Sequence, residues 1–264
     1  MWDPTTYLRY GDERSRPFHD LLARVPAQRP RAVVDLGCGP GALTATLAER
    51  WPDARVSGLD SAPEMVERAV ALAAPVSFAV GDVRSWHPEP DVDVVVCNAV
   101  LQWVPDHQAL LTRWAAELPA GAWLAFQVPG NFAAPSHRAL REVAGRDRWR
   151  DTLTPLLREA PVDEPVDYAA LLVGAGCAVD AWETTYVHLL PAAADADHPV
   201  LAWMEGTALR PVRAALDAAG WADFRAELGV RLAEAYPVRQ GQVYFPFRRI
   251  FVVARTGARA EESL

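Results

Sequence analysis

The segment Asp35-Leu36-Gly37-Cys38-Gly39-Pro40-Gly41 carries more structural information than any other part of this sequence. Before it, Ala32 to Leu36 is a short apolar run that is typical of a buried strand. After it, Gly41 to Arg50 has the pattern of a helix, which Trp51-Pro52 ends. Glycines between a strand and a helix let the backbone turn sharply and let a ligand approach the main chain. The segment therefore predicts a ligand-binding loop, and the simpler alternative is a glycine-rich turn without a ligand.

The spacing of the glycines distinguishes two classes of ligand. In the dinucleotide-binding fingerprint the last glycine comes three residues after the second, whereas Gly41 comes two residues after Gly39. An acidic residue, Asp35, also precedes the first glycine. This combination favours a cationic ligand without phosphate, such as S-adenosylmethionine, with Asp35 bound to its ammonium group directly or through water.

Polar side chains also follow the next three predicted strands. Asp60 ends the second strand, where a carboxylate can accept both ribose hydroxyls. Asp82 follows the third strand and can accept from the adenine amino group, with Val83 supplying a backbone donor. Asn98 to Trp103 follows the fourth strand and is expected to face the methionine part of the cofactor. Taken singly, each acid is more simply interpreted as a helix cap or a solvated loop residue, and the last segment as a loop anchored by a buried Trp. Acids at three successive strand ends, Asp35, Asp60 and Asp82, nevertheless favour a cofactor site.

Short apolar runs alternate with amphipathic stretches along most of the chain, which predicts an α/β fold with a parallel sheet wrapped by helices. Ser61 and Glu64 are expected to form a capping box for a helix with Pro63 in its first turn. The predicted strands are 32–36, 54–59, 76–80, 92–97, 122–128, 178–190 and 250–254, and the later predicted helices are 107–118 and 168–174.

Two segments interrupt this rhythm. Residues 130–166 carry several prolines and no clear strand pattern, and in the second segment, 192–247, residues 192–240 have a helical pattern. Ligands of open α/β sheets bind outside the carboxyl ends of the strands, and insertions that leave that edge are natural substrate covers. We therefore expect a single domain, 1–264, with these two insertions as covers over the active site and residues 1–20 as an N-terminal lid.

Composition excludes several classes of function. The chain has 264 residues and a net charge of −8, which argues against non-specific binding to nucleic acid. All 26 basic residues are arginine, so Schiff-base chemistry and a phosphate-loop lysine are excluded. No apolar run approaches the roughly 20 residues that span a bilayer, and Met1 to Pro4 lacks the pattern of a signal peptide. We expect a cytoplasmic monomer or weak dimer that acts without a membrane or nucleic acid.

Cysteine and histidine usage argues against a metal. Cys38, Cys97 and Cys177 lie far apart, and no His or Cys stands at metal-ligand spacing near them. The sequence therefore predicts neither a disulfide framework nor a metal site.

Taken together, these motifs resemble those of the class I S-adenosylmethionine-dependent methyltransferases, and within them the sequence is similar to the trans-aconitate methyltransferases over roughly its whole length. The glycine motif indicates only the broad class, and the segments near the N-terminus and around Asn131, Tyr186 and Arg210 are more specific. The residues that carry the resemblance are Trp2-Asp3-Pro4, Tyr7-Leu8, Arg14 to Pro17, Asp35 to Gly41, Leu59-Asp60-Ser61, Leu101 to His107, Gln127 to Asn131, Gly176-Cys177, Trp182 to Tyr186, Gly206 to Pro211 and Phe245 to Arg249.

The resemblance implies a Rossmann-like sheet of seven strands with helices on both faces and an antiparallel last strand. It also implies S-adenosylmethionine as cofactor and a small polycarboxylic acid as acceptor, converted to its monomethyl ester with release of S-adenosylhomocysteine. The residues expected to bind the cofactor are Arg16, Asp35, Gly37, Cys38, Gly39, Asp60, Ser61, Met65, Asp82, Val83, Asn98 and Gln102. Those expected to bind the acceptor are Trp2, Tyr7, Gln127, Asn131, Tyr186, Arg210, Arg248 and Arg249.

No general base is expected, because a carboxylate acceptor is already ionised at neutral pH. His107 is interpreted as a neighbour of a helix cap, and His188 as a core residue, with contact to substrate as the alternative. An acidic protein needs a local arginine cluster to bind a polycarboxylate, and we expect Arg210 with either Arg248 or Arg249, since adjacent strand residues face opposite sides. The alternatives are a methyltransferase on a malonyl thioester or a natural-product amine, and a nucleotide-binding protein without this activity.

Overall fold

A computed structural model describes residues 11–157, 160–193 and 196–257, with side chains from Ser15 onward. Its centre is a seven-stranded sheet with the order β3-β2-β1-β4-β5-β7-β6. The first five strands in chain order pair in parallel with their neighbours, and β7 pairs antiparallel with β5. The strands are β1 (Ala32–Leu36), β2 (Arg55–Asp60), β3 (Ser77–Val80), β4 (Val92–Asn98), β5 (Trp123–Pro129), β6 (Cys177–Pro191) and β7 (Gln242–Thr256).

The α-helices of the described residues fall between these strands and in the two predicted insertions. They are α1 (Gly11–Leu22), α2 (Ala42–Arg50), α3 (Pro63–Ala71), α4 (His107–Glu117), α5 (Pro135–Ala144), α6 (Arg150–Leu153), α7 (Pro165–Gly174), α8 (Pro199–Glu205), α9 (Arg210–Ala215) and α10 (Ala218–Ala235).

Both faces of the central strands are buried, as the nearly continuous valines of β4 indicate. On one face, Trp114 of α4 and Tyr168 of α7 belong to the same core as Val95 and Val34. Residues of the opposite parity, such as Val94, are equally buried on the other face. The predicted fold class, including the antiparallel last strand, is confirmed.

The described chain divides into two compact units. Gly130–Pro161 and Thr185–Arg248 belong to one, which we call the insert unit. Arg14–Pro129, Val162–Thr184 and the chain from Arg249 belong to the other, which we call the sheet unit. The insert unit therefore has nearly the bounds of the two predicted insertions, and it has a core of its own that includes Trp203, Phe224 and Phe245. The single-domain description and the covering roles stay predictions.

Two local predictions are wrong. The last strand begins at Gln242 rather than 250, because Val243, Phe245 and Phe247 alternate into the insert core and extend the strand pattern backwards. The capping box at Ser61 and Glu64 does not form, because the N-cap residue is Ala62, whose side chain cannot accept a hydrogen bond.

Candidate active site

The glycine loop, residues 37–41, joins β1 to α2 and is tied to the end of β2. The N–H groups of Gly37 and Cys38 both donate to the carbonyl of Leu59, at 2.7 and 3.0 Å. Gly37 has a φ of +81°, and a Cβ there would lie 2.1 Å from a methyl carbon of Val100. A Cβ on Gly39, by contrast, would meet no described atom within 4 Å. The loop is therefore packed tightly at its start and leaves the main chain open at Gly39, where a ligand can approach.

Asp60 is the last residue of β2 and is fixed by the backbone on both sides. Its Oδ2 accepts from the N–H of Gly39 at 2.8 Å, and its Oδ1 accepts from the N–H of Ala62 at 2.9 Å. It thus accepts a hydrogen bond from Ala62, the N-cap residue at the start of α3. Each carboxylate oxygen keeps acceptor capacity for a further donor, so the side chain is preorganised to accept from a pair of hydroxyls. Ser61 and Met65 lie beside it in sequence, exposed and half-buried respectively.

Asp35 lies inside the sheet unit rather than at its surface. Its side chain is buried, and Thr44 Oγ1 of α2 donates to its Oδ2 at 2.6 Å. Burial raises the pKa of Asp35 to about 7, the hydrogen bond from Thr44 opposes this, and the negative charge of Asp60 adds to it. A cationic group of a ligand would reverse that penalty, because it favours the ionised carboxylate.

The carboxylate of Asp82 already accepts hydrogen bonds from Arg84, which the sequence did not indicate. It caps the short helical turn Val83–Ser85 by accepting from the N–H of Arg84 at 2.8 Å. The guanidinium of Arg84 lies 2.5 Å from Oδ2, and this hydrogen bond lowers the pKa of Asp82. Val83 is buried at the start of the turn. The adenine role of these two residues stays a prediction, and it requires a ligand amino group to share or displace Arg84.

The carboxyl edge of β4 carries buried polar atoms that the described residues do not satisfy. Gln102 Nε2 donates to the carbonyl of Ala99 at 2.6 Å, which leaves Gln102 Oε1 without a described partner, and Asn98 Oδ1 is in the same state. Ala99 itself has a φ of +58°, a left-handed conformation that costs free energy for a residue with a Cβ. Buried polar atoms are normally paired, so these acceptors fit a ligand with donor groups.

A buried pair of side chains holds the segment after β4 in place. His107 Nδ1 lies 3.2 Å from the carbonyl of Val104, and its Nε2 lies 2.7 Å from the hydroxyl of Tyr168 on α7. A proton on Nδ1 satisfies the carbonyl, and Nε2 then accepts from the Tyr168 hydroxyl. Asp106, the N-cap residue of α4, makes no side-chain cap and has a φ of +54°. His107 is thus a structural residue, as interpreted from the sequence.

The end of β5 adds a second buried amide. Arg249 Nη1 of β7 donates to Gln127 Oε1 at 3.2 Å, and both residues are buried. This contact turns the amide so that Nε2 remains for another acceptor, and no described residue supplies one. Gln127 pairs with Asn98 across β4 and β5, so the two amides occupy neighbouring strand positions.

The other predicted acceptor residues belong to the insert unit. Asn131 and Tyr186 are buried, Arg210 is exposed at the start of α9, and Arg248 is half-buried with Nη1 3.3 Å from the carbonyl of Gly130. The predicted acceptor set is thus divided between the units, and its roles stay predictions. His188 stacks on Trp203 at 4.6 Å between ring centroids, inside the insert core.

Three predicted site residues have less structural support. Trp2 and Tyr7 lie outside the described residues. Arg16, on α1, has a side chain that is 70% exposed and lies 3.8 Å from Asp20. Its binding to a methionine carboxylate stays a prediction.

Three further features of the described part of the chain concern metal sites, disulfides and membrane-spanning helices. No group of three or more His, Cys, Asp or Glu residues there is placed to hold a metal ion. The three cysteines are buried and not disulfide-bonded. No described helix combines the length and the apolar character needed to cross a membrane.

The chain is similar to known methyltransferases at two levels. Residues 33–121 match a family described as a methyltransferase domain. Two proteins named trans-aconitate 2-methyltransferase are 59% identical (Mycobacterium sp. strain KMS) and 58% identical (Rhodococcus jostii), and the matches cover 97% of this chain and 100% and 99% of theirs. The chain belongs to the trans-aconitate 2-methyltransferase family.

Solved structures with low sequence identity share the fold. The YcgJ protein of Bacillus subtilis has a TM-score of 0.57 at 16% identity, with 90% of this chain and 97% of that chain covered. A phosphoethanolamine N-methyltransferase of Haemonchus contortus, in complex with S-adenosyl-L-methionine, has a TM-score of 0.53 at 14% identity, with 92% and 53% covered. These structures show the fold alone.

The relatives at 58–59% identity and the family match show that the chain is a methyltransferase with S-adenosylmethionine as its cofactor, as the glycine spacing predicted.

Two residues that the sequence reading missed now stand out. Thr44 clamps Asp35, and its signal was a hydroxyl on the otherwise apolar buried face of α2. Arg239 lies in a turn of the insert unit, within a stretch that was read as helical. The only sequence signal for that turn was Gly241, because glycine adopts the positive φ of +74° found there without a steric cost.

Proposed function

We propose that this methyltransferase esterifies one carboxylate of trans-aconitate, using S-adenosylmethionine and releasing S-adenosylhomocysteine. The observation that carries the proposal is the 59% identity, over the full length of the relative, to a protein named for this reaction. The residues at the glycine-loop edge of the sheet unit fit the cofactor. Asp60 would hold the ribose, Asp35 the ammonium group, and Asn98 and Gln102 offer the unsatisfied acceptors described above.

The chemistry demands little of the protein beyond binding and alignment. Bound S-adenosylmethionine supplies an electrophilic methyl group. A carboxylate is ionised at neutral pH, with a pKa near 4, so it attacks without transferring a proton. This chain's residues therefore act by positioning the acceptor and excluding water from it.

The acceptor must also be held against an unfavourable overall charge. Trans-aconitate carries about three negative charges at neutral pH, and the protein carries −8. Desolvated carboxylates need charged partners. The free donor of Gln127, oriented by Arg249, and the arginines Arg210 and Arg248 are the candidates for that binding, with Asn131 and Tyr186 as neutral donors.

A transfer assay tests the proposal. Purified protein and S-adenosylmethionine with a radiolabelled methyl group are incubated with a panel of small acids, a malonyl thioester and representative amines. We expect base-labile label on trans-aconitate well above that on the other acceptors. Preferential labelling of a thioester-bound malonyl group or of an amine would overturn the substrate and keep the methyltransferase class.

The arginine cluster expected from the sequence is tested separately with Arg210→Met, Arg248→Met and Arg249→Met. Arg210→Met and one of the two strand variants should raise KM for trans-aconitate and leave the affinity for the cofactor unchanged, and Lys should restore only part because it lacks the forked geometry. Wild-type kinetics in all three variants would place the acceptor elsewhere. We also infer that the enzyme works in the cytoplasm as a monomer or weak dimer, which fractionation and light scattering would test.

A further inference from the structure

A groove within the insert unit has the chemistry of a polycarboxylate site. It encloses about 570 Å³, and its lining includes Asn131, Thr185, Arg239, Tyr244 and Arg248. It begins at Gly130, the residue that directly follows β5 along the chain. We call it the Arg248 groove.

The charge of the Arg248 groove is opposite to that of the protein. Arg239 and Arg248 are the only charged side chains among its described lining residues, and no carboxylate lies among them. The whole chain nevertheless carries an excess of eight acidic residues. A pair of guanidinium groups with apolar walls from residues such as Pro246 suits a small molecule with an unsaturated backbone and several carboxylates.

The backbone around both arginines is fixed by specific hydrogen bonds. Arg239 and Gln242 exchange N–H to carbonyl bonds at 2.8 and 3.0 Å across the turn, and Gln240 and Gly241 have φ values of +52° and +74°. Arg248 and Gly130 are joined by a backbone bond of 2.9 Å from the Gly130 N–H. Tyr236 also lines the groove, and its hydroxyl accepts from the N–H of Ser136 at 3.0 Å.

We propose that Arg239, together with Arg248, binds a carboxylate of the acceptor that is not methylated, and that Arg239 thereby selects tricarboxylates over acids with fewer charges. This inference rests on the proposed function and adds a specificity residue to it. Arg248 lies on the face of β7 that also carries Tyr244 and Pro246, and Arg239 faces the same groove from the turn that precedes the strand.

Three variants test the role of Arg239. Arg239→Gln removes the charge, Arg239→Lys keeps it without the forked geometry, and Arg231→Gln is the matched control. Arg231 lies on α10 of the same unit, pairs with Glu234 at 3.1 Å on the surface and does not line the groove. Kinetics are measured with trans-aconitate and with an unsaturated dicarboxylate, at saturating S-adenosylmethionine, after thermal melts have established that the variants fold.

We expect Arg239→Gln to raise KM for trans-aconitate about tenfold or more, the effect of losing a charge-assisted hydrogen bond. The preference for the tricarboxylate over the dicarboxylate should fall by a similar factor, Lys should recover part of it, and the control should match the parent. Equal kinetics in Arg239→Gln and Arg231→Gln would overturn the assignment while leaving the proposed function intact.

Equilibrium dialysis with labelled trans-aconitate and S-adenosylhomocysteine separates the two proposals. Binding that depends on Arg239 without any methylation of the acid would contradict the proposed function and support the groove as a polycarboxylate site. Methylation of the acid together with binding that does not depend on Arg239 would support the proposed function and contradict the role of Arg239.

Discussion

The glycine-loop edge of the sheet unit and the Arg248 groove of the insert unit hold their polar side chains by different means. At the glycine loop, the contacts join neighbouring strand ends, and Asp60 and Gly39 are only 21 residues apart. In the groove, the contacts join distant segments, such as Ser136 to Tyr236 and Gly130 to Arg248, which lie 100 and 118 residues apart. A site of the first kind leaves a pattern in the sequence, whereas one of the second kind depends on how separate segments pack.

The comparison predicts that a core substitution in one unit leaves ligand binding by the other unit nearly unchanged. The largest expected effect on the free energy of unfolding comes from the core of the insert unit. Phe245 is fully buried and contacts the rings of Trp203 and Tyr236. Phe245→Ala should lower the free energy of unfolding by about 3–5 kcal/mol. We expect calorimetry to show this loss, with a raised KM for the acceptor and a nearly unchanged dissociation constant for S-adenosylmethionine. A matching loss of cofactor affinity in folded protein would contradict the separation.

The sequence accounts for the sheet unit better than for the insert unit, for reasons that particular residues make clear. Asp60 was placed at the end of β2 because parallel strands end at one edge of the sheet. The clamp of Thr44 on Asp35 was missed because a hydroxyl on a helix face has many possible partners. The first half of β7 was missed because Pro246, Arg248 and Arg249 interrupt its apolar run, although every second residue enters the insert core.

A pair of glycine variants sharpens the comparison within the loop itself. Gly37→Ala combines a left-handed φ, which costs about 1–2 kcal/mol, with overlap against Val100, which costs about 1–3 kcal/mol. Gly39→Ala has a φ of +55° but meets no described atom. In thermal melts Gly37→Ala should be the less stable variant by several degrees. Gly39→Ala should lose cofactor affinity out of proportion to its loss of stability, which comes from the left-handed φ alone. Equal stability of the two variants would show that the side chain of Val100 moves to accommodate the new methyl group at residue 37.

Asp60→Ala tests whether Asp60, which is hydrogen-bonded to the glycine loop, binds the ribose of the cofactor. The variant should weaken S-adenosylmethionine binding by about 1.5–3 kcal/mol, the range for losing hydrogen bonds to a charged group. Asp60→Asn should retain part of the affinity, because its amide oxygen still accepts from one backbone N–H. Fluorescence titration gives both constants, and an unchanged value in Asp60→Ala would remove Asp60 from the cofactor site.

The raised pKa of Asp35 predicts a pH dependence of cofactor binding. Its carboxyl ionises near pH 7 in the free protein, and only the ionised form attracts the ammonium group. Affinity for S-adenosylmethionine should therefore fall by up to about tenfold from pH 8 to pH 6. Thr44→Val removes the hydrogen bond that lowers this pKa, so the fall should begin at a higher pH. Asp35→Asn should bind weakly without this dependence.

The raised pKa of Asp35 also predicts how the stability of the cofactor-free protein changes with pH. A carboxyl whose pKa is higher in the folded state than in the unfolded state favours folding while it is protonated. The cofactor-free protein should therefore lose part of its stability as pH rises from about 4 to about 7. Asp35→Asn should lose less over that interval, which melts across the range would detect.

The smallest expected effect is no change at all, in the chemical step. The attacking acceptor oxygen is already ionised, and neither His107, bonded to Tyr168, nor His188, stacked on Trp203, is assigned a proton transfer. The single-turnover rate at saturating cofactor and acceptor should stay flat from about pH 6.5 to 8.5, even where the affinity for the cofactor changes. That contrast assigns the pH dependence to binding by Asp35 rather than to catalysis. If an ionisation near pH 7 persisted in the single-turnover rate, a general base would be required, and His188→Gln would be the first variant to measure.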